Sequence, residues 1–322
     1  MKIAIKPFTH DDYTVGWISA LPLEMAAAKA MLDVVHPRLP QDSNDSNSYT
    51  LGSIYGHNVV IACLPSGVYG TTSAAIVATQ MLFTFRAIRF GLMVGIGGGV
   101  PSKEADIRLG DVVVSKPTND SGGVIQYDYG KTPPQVLLTA VSRLEAEKMM
   151  GTSQLPMLLS RCVSKYPAMS QFTDRGQEFD QLYDADYDHV GPANTCRDCD
   201  QNKLVVRHSR ATRCPQIHYG LIASANQVMK HGITRDRLAQ ELHVLCFEME
   251  AAGLMDHFPC LVIRGVCDYS DSHKNKQWQP YAAATAAAYT TELLSVIPAH
   301  NVLETVAVHD ALTMAIDINS PR

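Results

Sequence analysis

The stretch Cys260-Leu-Val-Ile-Arg-Gly-Val-Cys-Asp268-Tyr-Ser-Asp271 constrains the chain more than any other, because a short apolar run ends there abruptly in carboxylates. A continuous β-branched run bounded by polar residues and Gly265 is what a strand covered on both faces requires. Strands of that kind build parallel sheets, and ligands bind outside their carboxyl ends. Asp268 then stands where a proton donor or acceptor acts on a ligand. A helix-capping aspartate is the plainer alternative.

Strand and helix signals alternate along the rest of the chain. Tyr13-Thr-Val-Gly-Trp-Ile18 reads as the first strand, and Pro22 then opens a helix over residues 23–32, which puts Glu24 at its start. Pairing with the helix dipole is enough to explain an acid there. Residues 49–51 and 58–64 read as a strand pair, 73–83 as a helix and 90–94 as a strand. The cluster Gly95-Ile-Gly97-Gly98-Gly99-Val100 that follows matches neither G-x-G-x-x-G nor a P-loop, so nicotinamide and nucleoside triphosphate cofactors are not expected. Further strands are expected at 110–115 and 219–224, and helices at 135–149, 234–242 and 280–297. The alternation predicts a three-layer α/β/α domain with a mostly parallel, mixed central sheet. Residues 1–12 form an arm, 13–298 the domain with an insertion near 117–215, and 299–322 a tail with apolar spacing at Val302, Val306 and Leu312.

With 322 residues, 46% of them hydrophobic, the chain can bury a large core. A net charge of −5 offers no basic face, which argues against nucleic acid or an anionic membrane as the main partner and for a small diffusible ligand. No stretch reaches the roughly 18 apolar residues of a membrane span, and the amino terminus lacks the apolar core of a leader, so a cytoplasmic location is expected. Cys63, Cys246, Cys260 and Cys267 sit in strand-like runs as reduced, buried thiols do. Cys196-x-x-Cys199, with Cys214 and His208 nearby, has part of a zinc spacing but lacks a second close pair. Free thiols are therefore the expectation, and no metal.

Four stretches stand in family order and spacing: Gly-x-Ile-x-Ala-x-x-x-Glu from Gly16 to Glu24, the glycine cluster, Glu248-Met249-Glu250, and Arg264-x-x-x-Asp268. On them the chain resembles the purine nucleoside phosphorylase and uridine phosphorylase superfamily, most closely its methylthioadenosine/S-adenosylhomocysteine nucleosidase branch and that branch's fungal relatives. The resemblance runs from about residue 13 to 297 and implies the nucleoside phosphorylase-like fold. It implies Asp268 as the acid at purine N7 and Glu24 as the general base that takes a proton from water. Glu250 becomes the acceptor of the ribose hydroxyls, with Met249 beneath the sugar and Glu248 beside them; Gly97, Gly98, Asn226 and Val228 join Asp268 around the base. The chemistry agrees, since an N-glycosidic bond breaks through an oxocarbenium-like sugar and the purine leaves readily only when its ring nitrogen is protonated or hydrogen-bonded.

The departures matter as much. Met93 and Ile96 fall where bacterial phosphorylases carry a phosphate-gripping Arg and Ser, and an unpaired phosphate buried there would be costly. The function expected is therefore metal-independent, cofactor-free hydrolysis of purine ribonucleosides, of the kind used in purine salvage, with a homo-oligomer, most simply a dimer, as the assembly. Arg197, Arg207, Arg210 or Arg213 in the insertion could restore a cation, which keeps phosphorolysis as the alternative. A nucleoside-sensing module of a signalling protein is the non-enzymatic one. Val228 falls where relatives often place an aromatic against the purine, and the arm residues His10 and Asp12 are candidates for a neighbouring subunit's ribose.

Overall fold

The computed structural model describes residues 7–118, 121–125, 133–192, 195–255 and 258–319, so the first half of the arm lies outside the described residues. The strands are β1 (Val15–Ser19), β2 (Val34–Val35), β3 (Tyr49–Ile54), β4 (His57–Cys63), β5 (Phe90–Gly99), β6 (Val112–Ser115), β7 (Val124–Ile125), β8 (Ile217–Ser224), β9 (Val244–Glu248) and β10 (Cys260–Asp268). The helices are α1 (Pro22–Met31), α2 (Thr71–Thr84), α3 (Gln135–Met149), α4 (Leu155–Lys165), α5 (Gly232–Leu242), α6 (Gln279–Ser295), α7 (Ala299–Leu303) and α8 (Val308–Asn319). None of these helices is long and apolar enough to cross a membrane.

The sheet is mixed and mostly parallel, with an open wing in the order β5-β1-β4-β3-β2 and a closed circuit β5-β10-β6-β8-β9 that returns to β5. Period-two alternation distributes the side chains between two helical layers. Val15 and Trp17 of β1, Leu92 and Val94 of β5, and Leu261 and Ile263 of β10 pack against α1, α3, α4 and α6. Ile18, Met93 and Val262 on the same strands face the opposite layer, built on α2. Both faces are thus buried, which is why the sequence of β10 reads as an unbroken apolar run. Burial of this kind is worth roughly 1.5–3 kcal/mol for each large aliphatic side chain.

Two differences from the sequence reading bear on function. The glycine cluster is not a loop after a strand ending at residue 94; it continues β5 to Gly99. Without side chains there, the end of β5 serves neighbours on both sides, β10 in parallel and β9 antiparallel through Gly98–Phe247 and Gly99–Cys246. The insertion, in turn, is no mere appendage, because α3 and α4 place Leu137, Val141, Leu144, Leu155 and Leu158 in the main core against α6. In the tail, Val302 and Val308 are buried whereas Val306 is exposed. His10 does not reach outward, since its Nε2 lies 2.9 Å from Pro40 O and its ring packs on Phe85.

Candidate active site

A cavity of about 370 Å³ opens where β1, β5, β9 and β10 end. Glu24 reaches it from the first turn of α1. Its carboxylate accepts three backbone N–H bonds, from Ala20 at 2.7 Å, Leu21 at 2.8 Å and Ile96 at 2.8 Å. Burial pushes its pKa up, against the opposing pull of Arg264 and of those donors. A Cβ on Gly95 would fall 2.5 Å from both Glu24 Oε1 and Arg264 Nη1, so a glycine is what lets acid and guanidinium approach across β5.

Arg264, fully buried on β10, holds the acids of the Glu248-Met249-Glu250 stretch. Its Nη2 donates to Glu248 Oε2 and lies 3.2 Å from Glu250 Oε2. Nε and Nη1 find no protein partner among the described residues. Glu248 also accepts from the N–H groups of Glu250 at 3.1 Å and Ala251 at 3.0 Å, so it is Glu248 that caps the short turn Ala251–Gly253. Its side chain is wholly buried and both oxygens are engaged, which fits positioning better than contact with ribose. Glu250 is freer and lines the cavity with Met249. Burial pushes Glu250 up to about 7; Arg264 draws it back while Glu248 and Glu24 add to the rise.

Asp268 ends β10, just past a bulge in its pairing with β5 that re-aims the side chain. It stands immediately behind the cavity wall, with Oδ1 accepting from Ser270 N–H at 3.0 Å and Oδ2 paired with Lys274 Nζ at 2.7 Å. Lys274 itself lines the cavity. Burial alone would lower its pKa, but Asp268 beside it raises the ammonium above its ordinary value. Gly98 gives the carboxyl its room, because a Cβ there would come within 2.8 Å of Asp268 Oδ1 and 2.0 Å of Ser270 Oγ.

On the other wall, Gly97, Val228 and Phe247 face the same space. Besides Tyr69, the lining includes one other aromatic ring, that of Phe247. The strand periodicity of β9 signals it, since Val244, Cys246 and Glu248 are buried and Leu245 and Phe247 alternate with them. Lys274 carries no such signal, being brought to Asp268 by the turn after β10.

Three sequence expectations move. Asn226 does not line the cavity; its Oδ1 accepts from Thr71 N–H at 3.0 Å and Thr71 Oγ1 at 3.1 Å, which caps the start of α2, while Gln227 takes the lining position. Met93 lies in the core under α2, so its apolar character says nothing about phosphate. The insertion arginines are likewise elsewhere: Arg207 pairs with Asp180, Arg210 with Asp111, and neither Arg197 nor Arg213 lines the cavity.

The profile of the phosphorylase superfamily matches residues 14–295. A nucleotide-binding leucine-rich repeat (NLR)-like protein of Hyaloscypha variabilis is 46% identical over 301 residues, 89% of this chain but 30% of that protein, so the chain spans under a third of its length. A 5'-methylthioadenosine/S-adenosylhomocysteine nucleosidase of Mycobacterium bovis is 25% identical over 295 residues, covering 88% of this chain and 97% of that one. Among solved structures, futalosine hydrolase of Helicobacter pylori superposes with a TM-score of 0.55 at 15% identity, over 89% of this chain and 99% of that one, a likeness of fold.

Proposed function

The chain belongs to the phosphorylase superfamily, and from that premise we propose that it is an N-glycosidase that cleaves purine ribonucleosides with water. One observation carries the choice of water over phosphate. The Ala20, Leu21 and Ile96 N–H groups at the start of α1 and on β5 are the donors an incoming phosphate would need, and the Glu24 carboxylate already occupies them. Glu248 and Glu250 add two more carboxylates around the guanidinium of Arg264, so the cations left among the described residues to meet a phosphate dianion in the cavity are Lys274, already paired with Asp268, and Lys276.

In this reading, the ribose lies over Met249 with its 2′- and 3′-hydroxyls donating to Glu250. Loss of the 2′-hydroxyl would leave that acceptor partly unpaired, at a cost of about 1–3 kcal/mol. Glu24 takes a proton from a water in the cavity, and the water's oxygen bonds to the anomeric carbon as the base departs. The base takes its proton from the Asp268–Lys274 pair, with Lys274 reaching into the cavity and Asp268 holding it. Phe247 offers the base an apolar face. Relatives named as nucleosidases support the reaction class.

A second reading draws on the longer NLR-like relative: the chain serves as a nucleoside-sensing module within a larger protein. Turnover separates the two. Glu24→Gln and Asp268→Asn should each lose roughly 10²–10⁴-fold in kcat while nucleoside binding, read by calorimetry, survives. Binding with no turnover in the unaltered chain would favour the sensing module, and near-normal turnover in both variants would place the acid and base elsewhere.

A further inference from the structure

The insertion carries a cluster that nucleoside cleavage does not use. His189, Cys196 and Cys199 each offer one ligand atom, and these atoms lie within 4.8 Å of one another. Donors bound about 2.0–2.3 Å from one tetrahedral ion sit roughly 3.3–3.8 Å apart, so small side-chain shifts would close the set. His189 Nε2 lies 2.9 Å from Thr195 O. The tautomer that donates there leaves Nδ1 with a free lone pair, the arrangement metal-ligating histidines adopt. Neither thiol has a strong partner of its own: Cys196 Sγ is 4.0 Å from His273 O and Cys199 Sγ is 3.6 Å from Val190 O.

His273 stands beside this group, outside its 4.8 Å span, and would have to swing in to serve as a fourth donor. Its side chain is 5% exposed and neither ring nitrogen has a hydrogen-bond partner among the described residues, although Nδ1 lies 3.8 Å from Asp271 Oδ1. Its ring centroid is 5.5 Å from that of His189. A buried imidazole with both nitrogens unsatisfied is costly, and ligation would remove that cost. We propose that His189, Cys196, Cys199 and His273 bind a structural zinc ion. Two thiolates and two imidazoles in a closed tetrahedral set suit zinc and not the oxygen-seeking magnesium or calcium. Cys214 and His208, the other donors near the C-x-x-C pair in sequence, stand apart; Cys214 lines a crevice beside Asp111, and His208 O accepts from Arg108. The fourth ligand is distant in sequence, which is why spacing alone does not disclose the site.

The ion would fasten the insertion to the loop that finishes the active site. His189 N–H already donates to Ser272 Oγ at 3.0 Å, and His273 is followed by Lys274, the partner of Asp268. The test uses the full chain, purified without chelator from zinc-supplemented culture. Elemental analysis should find one zinc per chain, released to a colorimetric indicator only when a mercurial blocks the thiols. Cys196→Ser/Cys199→Ser should lose the metal, and Cys214→Ser should keep it. To separate metal loss from misfolding, cobalt is added to metal-stripped unaltered chain. The strong visible bands of tetrahedral cobalt with thiolate charge transfer are expected, changed in His273→Ala, and zinc should raise the thermal midpoint. Zinc no higher than in the double variant, an octahedral cobalt spectrum, a spectrum indifferent to His273→Ala, or a quantitative Cys196–Cys199 disulfide would each overturn the site.

Discussion

Glu250 shows how one residue's burial becomes a property of the whole protein. In the folded chain it is pushed up to about 7, against 4.5 for an ordinary glutamate, first by burial and then by Glu248 and Glu24. The folded state therefore binds this proton more tightly than the unfolded one. The stability that the proton provides is complete below about pH 4.5 and is lost as the pH rises through about 7. A glutamine at this position cannot ionise and escapes the loss. Thermal midpoints of Glu250→Gln relative to the unaltered chain should accordingly rise as the buffer goes from acid to mildly alkaline, and a difference constant with pH would contradict the assignment. In the proposed reaction the pH dependence of catalysis runs the other way, because that proposal has Glu24 and Glu250 ionised, one to take the water's proton and the other to accept the ribose hydroxyls.

At the scale of elements, the site depends on strand ends that meet and on helices that begin beside them. Asn226 shows the distinction between building the site and touching the ligand. Because it caps α2 through Thr71, Asn226→Ala should cost about 0.5–2 kcal/mol in denaturant unfolding while leaving nucleoside affinity unaltered. Weakened affinity without lost stability would return it to the base wall. The strands β1, β5 and β10 could be read from the sequence because both their faces are buried, which writes long apolar runs, and α1 because Pro22 marks its start, whereas β2, β7, β9 and α4 were not anticipated. Glu24, Met249 and Glu250 were legible through motif spacing and do face one cavity. What holds them was not. Arg264 meets Glu248 across the β5–β9–β10 closure, and Lys274 meets Asp268 across a turn, contacts made through space that no period in the chain records. The continuation of β5 through its glycines was hidden because residues without side chains carry no strand alternation.

For the whole molecule, the surface left exposed suggests its assembly. Ile76 and Phe83 are two turns apart on α2 and 54% and 65% exposed, and Val68 and Tyr69 extend the apolar surface toward the cavity mouth. In the insertion, α3 and α4 turn Leu137, Val141, Leu144, Leu155 and Leu158 into the core against α6, leaving Met149 and Met157 exposed, one on each helix. We therefore expect at least a dimer through the α2 face, measured by light scattering at micromolar concentration, with Phe83→Glu shifted toward monomer; a monomer with full activity would contradict this. The proposal that the Glu24 carboxylate keeps phosphate out of the cavity can be tested without any variant. The chain is incubated with adenosine, guanosine and inosine in phosphate buffer and in phosphate-free buffer, and the sugar product is identified. Free ribose at equal rates in both buffers is the expected result; ribose 1-phosphate as the main product in phosphate would contradict the account.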